Sequence, residues 1–145
     1  MKVIILRTFY IFNLNKKYIG LATSEPNKIY IILKSIYSYN DKNVVIPFNL
    51  FKEVCNSINV EFFNKYFYDK LVNDEDYTVF KNIHMYHNYF TNEESKMNIF
   101  KSHIKIKSNK EDNIFLLNIK DITNLFVCDF INEYYNYFSS SSYKK

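Results

Sequence analysis

The stretches KEVCNSINVEFFNKYF (52–67) and KDITNLFVCDFINEYY (120–135) carry the strongest indication of the fold, because they resemble each other along their whole length. The matching pairs include Lys52 with Lys120, Glu53 with Asp121, Asn56 with Asn124, Phe62 with Phe130 and Tyr66 with Tyr134. Their apolar residues fall at helical spacing, which predicts two related amphipathic helices. A helix written twice in one short chain predicts a repeated fold.

The match extends beyond the two helices when the chain is shifted against itself by about 70 residues. The further pairs are Thr8 with Thr78, Tyr10 with Phe80, Ile29 with Ile99, Tyr30 with Phe100, Ile36 with Ile106 and Asn43 with Asn113. We therefore expect one domain over 1–138 built from two half-repeats, 1–70 and 71–138. The polar tail 139–145, SSSSYKK, is expected to be disordered because it has little apolar surface to bury.

Each half is predicted to form four strands followed by one helix. Segments rich in β-branched and aromatic residues predict the strands. In the first half these are VIILRTFYIFNL, KKYIGLAT, KIYIILKSIYSY and NVVIPF, and in the second TVFKNIHMY, HNYFT, NIFKSHIKIKS and NIFLLNI. Asn49 is the expected N-cap of the first helix, and Asn118 or Asp121 caps a second helix that runs to about Phe138. The expected fold class is α+β, with two tandem ββββα repeats.

This order of elements, with the KxVxNxIxxxFFxxYF-type helices, resembles the architecture of PUR-domain and Whirly proteins. The resemblance implies that the two repeats intertwine into one domain that binds single-stranded nucleic acid. The size, slight basicity and composition are also similar to those of small single-strand-binding proteins carried by cytoplasmic linear plasmids of yeasts and by AT-rich viruses. An accidental repeat would leave an OB-type barrel or another α+β domain as the fold.

Composition favours one soluble, intracellular unit. The chain has 145 residues, is 48% hydrophobic and carries a net charge of +4. The N-terminus, MKVIILRTFY, lacks the uninterrupted apolar run and cleavage site of a signal peptide, and no apolar window is long enough to span a membrane. Cys55 and Cys128 show no metal-ligand spacing and are expected to be free buried thiols. A cytoplasmic location is therefore expected.

The stretch IFKSHIKIK (99–107) is the most informative polar segment. Alternation along a strand places Phe100, Ile104 and Ile106 on one face. The opposite face would carry Lys101, His103, Lys105 and Lys107. Such a row of cations suits successive phosphates of a nucleic acid, although lysines also protect solvated edge strands.

Cations and rings also interleave near the predicted first hairpins, as expected for a single-strand-binding sheet. The residues in question are Lys16, Lys17, Tyr18, Lys28 and Tyr30, with Tyr37 on the strand that corresponds to the lysine row. Ile31, Leu33 and Ser35 share that face with Tyr37, so it either packs against another element or chain or offers surface for bases.

Catalytic and cofactor motifs are missing from the sequence. A single glycine, Gly20, cannot form a phosphate-binding loop, and no HExxH or GxSxG motif occurs. His84 and His87 are expected to be structural or surface residues, and the acids at 74–76 and 93–94 to lie in links. We therefore expect no enzyme activity, no cofactor and no metal site.

The predicted function is binding of single-stranded DNA, or RNA, on a basic and aromatic sheet surface in replication or transcription. Because Arg7 is the only arginine, base readout through the guanidinium fork is expected to be weak. The predicted partners are the strand and further copies of the chain, with no membrane. The alternative is a protein-interaction subunit of a replication or transcription complex.

Overall fold

The computed structural model describes residues 6–38, 45–122 and 124–138. The strands in these ranges are β1 (Arg7–Leu14), β2 (Cys55–Asn56), β3 (Tyr77–Phe80), β4 (Ile83–Asn88), β5 (Glu93–Ile99), β6 (Ile104–Ser108), β7 (Leu125–Asp129) and β8 (Tyr134–Phe138). The helices are α1 (Ile19–Ser24), α2 (Pro26–Ser38), α3 (Val45–Val54), α4 (Val60–Leu71) and α5 (Ile114–Ile119), with a 3-10 turn at Lys16–Tyr18. The mixture of helix and strand confirms the α+β class.

The strands form one antiparallel sheet in the order β3-β4-β5-β6-β1-β7-β8, and the short β2 pairs with the end of β1. Strand β1, the first in the described ranges, therefore lies inside the sheet. Phe9 pairs with Ile106 of β6, and Ile11 pairs with both Ile104 of β6 and Val127 of β7. Strands from the two ends of the chain thus hold each other in register.

The two faces of the sheet carry separate apolar clusters. Helices α4 and α5 cover one face, where Phe67 and Phe115 pack beside Phe9 and Ile106 in the larger cluster. Helices α1, α2 and α3 contribute to the smaller cluster on the other face, around Phe126. This second cluster takes its sheet residues from β1, β2, β7 and β8. The same face of β3–β6 is therefore not covered by these helices.

The first half departs from its predicted order of elements. KKYIGLAT and KIYIILKSIYSY were expected to be strands, but they form the 3-10 turn, α1 and α2. The β-branched residues of α2 favour a strand in the sequence. Its buried residues, Ile29, Tyr30 and Leu33, nevertheless fall at helical spacing. The expected strand NVVIPF lies partly in α3 and partly outside the described residues.

The predicted helix from Asn49 to Phe67 is interrupted. Helix α3 ends at Val54, two residues pair with β1 as β2, and α4 starts after Asn59. The side chain of Asn59 accepts a hydrogen bond from the Phe62 amide at 3.1 Å, which satisfies one of the free amides at the start of α4. The continuous apolar stripe predicted one helix, but the cap at Asn59 starts a second helix within it.

The second half differs more strongly from its prediction. The segment expected to form the second helix folds instead as the β7–β8 hairpin, and NIFLLNI, expected to be a strand, forms α5 behind an Asn113 cap. Every residue of β7 is buried, so it lacks the alternation that identifies a half-exposed strand. The two similar stretches thus adopt different structures. The first half does not have the ββββα order, whereas in the second half four strands and α5 are followed by the β7–β8 hairpin.

The tail 139–145 lies outside the described residues. Both cysteines are free and buried, as predicted, but they lie in strands rather than helices. Burial raises the pKa of the Cys55 thiol to about 12. In the part of the chain that the structure describes, no helix has the length and apolar character needed to cross a membrane.

Candidate nucleic-acid interface

The uncovered surface of β3–β6 is organised in rows that cross the strands, and we call it the open face. Strand pairing defines three rows. The acidic row contains Asp76, His87 and Glu94, the middle row contains Thr78, Met85, Lys96 and Lys107, and the outer row contains Phe80, Ile83, Asn98 and Lys105. Neighbouring rows lie two residues apart along each strand, or about 7 Å.

The open face exists because these strands alternate between a core side and a solvent side. Along β6, Ile104, Ile106 and Ser108 are buried, while Lys107 is exposed and Lys105 is half-buried. The predicted alternation is therefore observed within β6, whereas Phe100, expected on the buried face, is exposed in the link before β6. The face is also partly apolar, because the Phe80 side chain is 69% exposed and Met85 is 50% exposed.

The lysines of the open face lie close together without acidic partners. Lys96 lies directly opposite Lys107 in the pairing of β5 with β6. Lys105 lies on β6, two residues before Lys107. None of the three forms an ion pair with a carboxylate of the described residues. Like charges placed directly opposite each other destabilise a sheet. An anion bound across the two strands would offset this local cost.

An aromatic border separates the open face from the helix-covered part of the sheet. The ring centre of Tyr10 on β1 lies 5.4 Å from that of Tyr37 and 5.7 Å from that of His103. The Lys105 ammonium lies 5.7 Å from the Tyr10 ring centre. Burial and the nearby Lys105 charge lower the pKa of His103 to about 4, so its imidazole is neutral at pH 7. His103 therefore adds a ring rather than a charge to this border.

Two adjoining cavities lie on the open face. The first, of about 280 Å³, is an apolar groove formed chiefly by Phe80, Ile83 and Met85, with Lys96 at its side. The second, of about 190 Å³, includes Asp76, His87 and Glu94 of the acidic row. Both share Thr78 and Met85 as lining residues. A groove with an ammonium beside it and carboxylates at its end offers distinct contacts to the parts of a nucleotide.

The acidic row contains residue types that can bind metal ions. Its imidazole lies between two carboxylate residues, but no group of three His, Cys, Asp or Glu side chains gathers as potential ligands anywhere in the described ranges. The acids at 93–94 also differ from the prediction, because they begin β5 rather than lie in a link. Glu93 is buried and accepts hydrogen bonds from Ser95 and from the amide of Ile114.

The predicted lysine row is only partly assembled. Lys105 and Lys107 lie on the open face, His103 joins the aromatic border, and Lys101 is exposed in the bend between β5 and β6. The sequence interpretation missed Lys96 because it began the strand at Asn98 instead of Glu93. The signal was present in EESKMNI, where Ser95, Met97 and Ile99 alternate with outward-facing residues.

The predicted residues of the first half lie on helical elements instead of hairpins. Lys16 and Lys17 are exposed in the 3-10 turn, and Lys28 pairs with Glu25 at 3.1 Å on the surface of α2. Tyr18 donates a hydrogen bond to Glu53. These residues therefore belong to a different surface from the open face.

The two other tyrosines of that prediction have separate environments. Tyr30 is buried between Phe130 and Tyr135, and no group of the described residues bonds to its hydroxyl. It is not available for stacking on a base. Tyr37 is 41% exposed and lies at the aromatic border, so it is the tyrosine of α2 that adjoins the open face.

Comparison with known proteins gives no family. No protein-family model matches the chain, and no curated protein matches it significantly.

Proposed function

We propose that the protein binds single-stranded nucleic acid, DNA or RNA, on the open face. The carrying observation is a set of three lysines on two adjacent strands that form no ion pair with a described carboxylate, namely Lys96, Lys105 and Lys107. Flexible ammonium groups at this spacing suit successive phosphates, and binding releases the counterions that the phosphates had condensed. Binding would protect or organise the strand without chemistry on it.

A single strand fits this surface better than a duplex. The exposed ring of Phe80 and the apolar groove beside Lys96 offer contacts to base faces. Bases in a duplex are stacked and paired, so these contacts are available only to an unpaired base. Stacking on a protein ring contributes about 1–3 kcal/mol per base.

Guanidinium-based sequence readout does not contribute to this proposal. Arg7 donates hydrogen bonds to Asp129 at 2.9 Å and to Glu111 at 2.8 Å. Its fork is engaged by these two carboxylates and does not reach a base edge. The phosphate contacts therefore supply an affinity that varies little with sequence.

The test is fluorescence anisotropy with labelled oligo(dT), a mixed single strand and a matched duplex, each across a salt series. We expect salt-sensitive binding that favours both single strands. The K96A/K105A/K107A variant is expected to lose affinity for both strands similarly, and its salt slope to fall by about 0.7 per lost phosphate contact.

A matched control removes the same charge elsewhere. Lys16, Lys17 and Lys28 are exposed outside the open face, so the K16A/K17A/K28A variant tests net charge alone. It is expected to bind nearly as well as the unmodified protein. Equal losses in the two triple variants would reduce the effect to net charge, and tighter binding to duplex would contradict the proposal.

The alternative function is a protein-interaction subunit, and one observation favours it. Tyr89 and Phe90, in the turn between β4 and β5, are almost fully exposed. Exposed aromatic side chains of this kind are enriched at protein interfaces. If the titrations show no binding to any strand at low salt, this alternative replaces the proposal.

A further inference from the structure

The acidic row lies at a fixed place beside the lysines. On β5, Glu94 and Lys96 point to the same side and are two residues apart, a separation of about 7 Å. The 190 Å³ cavity at Glu94 and Asp76 continues into the apolar groove beside Lys96. A nucleotide whose phosphate contacts Lys96 or Lys107 can therefore direct its base along the groove toward the carboxylates.

The two carboxylates of this cavity retain acceptor capacity. Asp76 is half-buried, and its Oδ2 accepts a hydrogen bond from Asn88 at 2.9 Å, which leaves Oδ1. Glu94 is exposed, and its backbone groups bond to Asn109, while no hydrogen bond or ion pair within the described residues involves its carboxylate. An ionised carboxylate offers two oxygen acceptors and no donor. The two carboxylates of this cavity therefore favour a ligand edge that presents donors to them.

We propose that this cavity holds a guanine of the bound strand, an inference that rests on the proposed function. The pairing edge of guanine presents two adjacent donors, N1–H and the N2 amino group, which a single carboxylate can accept together. Adenine and cytosine place an acceptor beside their amino donor, and thymine places an acceptor on each side of its N3–H. Glu94 is the principal acceptor, and the groove at Met85 and Thr78 holds the faces of the base.

The inference adds base preference at one position to otherwise sequence-independent binding. The lysines bind the phosphates of any strand. The carboxylates bind guanine more tightly than the other bases and repel the phosphate backbone. This repulsion also fixes the side of the open face on which the bases lie. The strand is then oriented with its phosphates over β5 and β6 and one base directed to the end of β4.

The test compares oligo(dT) with oligo(dT) strands that carry a single central guanine, adenine or cytosine, by anisotropy at one salt concentration. We expect guanine to raise affinity by at least about fivefold over thymine, which corresponds to one bidentate base contact. In the Glu94→Gln variant this gain is expected to disappear, because the amide places a donor against a donor. Binding of oligo(dT) itself is expected to persist or to tighten.

The matched control is Glu61→Gln, which removes the same charge from the exposed start of α4 on the other side of the sheet. It is expected to keep the guanine preference. Equal affinity of the unmodified protein for all four strands would overturn the inference but leave strand binding intact. Failure to bind any of the strands would overturn strand binding and the inference together.

Free GMP distinguishes a strand from a mononucleotide as the source of the guanine. It offers one phosphate to the lysines, so we expect it to displace a guanine-containing strand only at concentrations far above the Kd of that strand. Displacement at similar concentrations would overturn the assignment to a strand.

Discussion

At the scale of single residues, the opposed lysines of the open face carry a stability cost, which the proposed binding of phosphates would offset. Lys107 faces Lys96 across β6 and β5. We expect Lys107→Thr to raise the free energy of unfolding by roughly 0.2–1 kcal/mol at low salt, because the variant removes this repulsion and adds a residue that favours strands. The gain is expected to shrink as salt screens the charges.

Urea denaturation at low and high salt measures this effect, and Lys101→Thr is the control. Lys101 is exposed in a bend outside the strand pairing, so its replacement is expected to leave stability nearly unchanged. A loss of stability in Lys107→Thr would show that the opposed lysines do not repel each other in the fold.

The buried His84 gives the protein a defined pH dependence. Its Nδ1 lies 2.7 Å from the Tyr77 hydroxyl and its Nε2 lies 2.7 Å from the Asn64 side-chain oxygen. Asn64 donates to Asn82 through its amide nitrogen, so its oxygen accepts from Nε2–H, and Nδ1 accepts from Tyr77. The bonded imidazole is therefore neutral. Burial lowers the pKa of His84 from 6.5 to about 4.

This lowered pKa predicts that stability falls as pH falls from about 6.5 toward 4. Between these values the unfolded chain binds the proton that the folded chain excludes, so protonation favours unfolding by up to roughly 3 kcal/mol at the lower end. Above pH 6.5 the contribution is fully present. When the free energy of unfolding is measured across this pH window, it is expected to change less steeply with pH in His84→Gln than in the unmodified protein.

His103 contributes in the same window, because its pKa is also lowered to about 4. In the double variant H84Q/H103Q the free energy of unfolding is therefore expected to change less steeply with pH than in either single variant. Slopes that match the unmodified protein in all three variants would remove both histidines from the pH dependence.

At the scale of elements, the sequence predicted only part of the sheet, and it missed most of β5 although the residues of β5 alternate between buried and exposed. β1 and β6 were identified, because each lies within a predicted strand and β6 alternates clearly. The pattern of β7 predicts a helix instead, because all five of its residues are buried and no period of two is visible. Phe and Tyr fit a helical stripe and a buried strand equally well, so their abundance did not separate the two.

The turn of the β7–β8 hairpin allows a test of this element. Asp129 Oδ1 accepts hydrogen bonds from the amides of Ile131 and Asn132, and Glu133 completes the turn at a φ of 54°. A left-handed conformation is unfavourable for a residue with a Cβ. We expect Glu133→Gly to raise the free energy of unfolding by about 0.5–1 kcal/mol, after a small loss of the exposed Lys34 ion pair.

Glu75→Gly is the matched control in thermal or urea denaturation. Glu75 is exposed and is not among the described residues with positive φ, so its replacement adds only unfolded-state entropy. It is expected to lower stability slightly. A Glu133→Gly variant that loses as much stability as Glu75→Gly would contradict the hairpin turn.

At the scale of the whole molecule, the candidate site depends on strand order that no local pattern contains. Lys105 and Lys107 were predicted from one strand, but Lys96 and Phe80 join them only because β5 and β3 lie in the same sheet. The helices cover the sheet unevenly, and this uneven cover creates the open face. A sequence interpretation that assumed two equivalent halves could not predict it, because the halves contribute different elements.

The position of β1 predicts that the described sheet unfolds as one unit. Its Phe9 and Ile11 belong to the larger cluster, and its Phe12 and Leu14 belong to the smaller cluster. Loss of either cluster therefore removes packing from the strand that both share. Phe67→Ala, in the larger cluster, and Leu33→Ala, in the smaller one, are each expected to cost about 2–5 kcal/mol.

In both variants, far-UV circular dichroism and tyrosine fluorescence are expected to report one coincident transition, shifted to lower denaturant with a similar slope. The two probes distinguish one shared core from two independent cores. Circular dichroism reports the sheet and helices, whereas fluorescence reports the tyrosines of both clusters. If Leu33→Ala instead produced an early transition that left the Phe67 cluster folded, the helices α1–α3 would be a separately melting layer. The open face would then persist without them, since its strands pack on α4 and α5 from the other side.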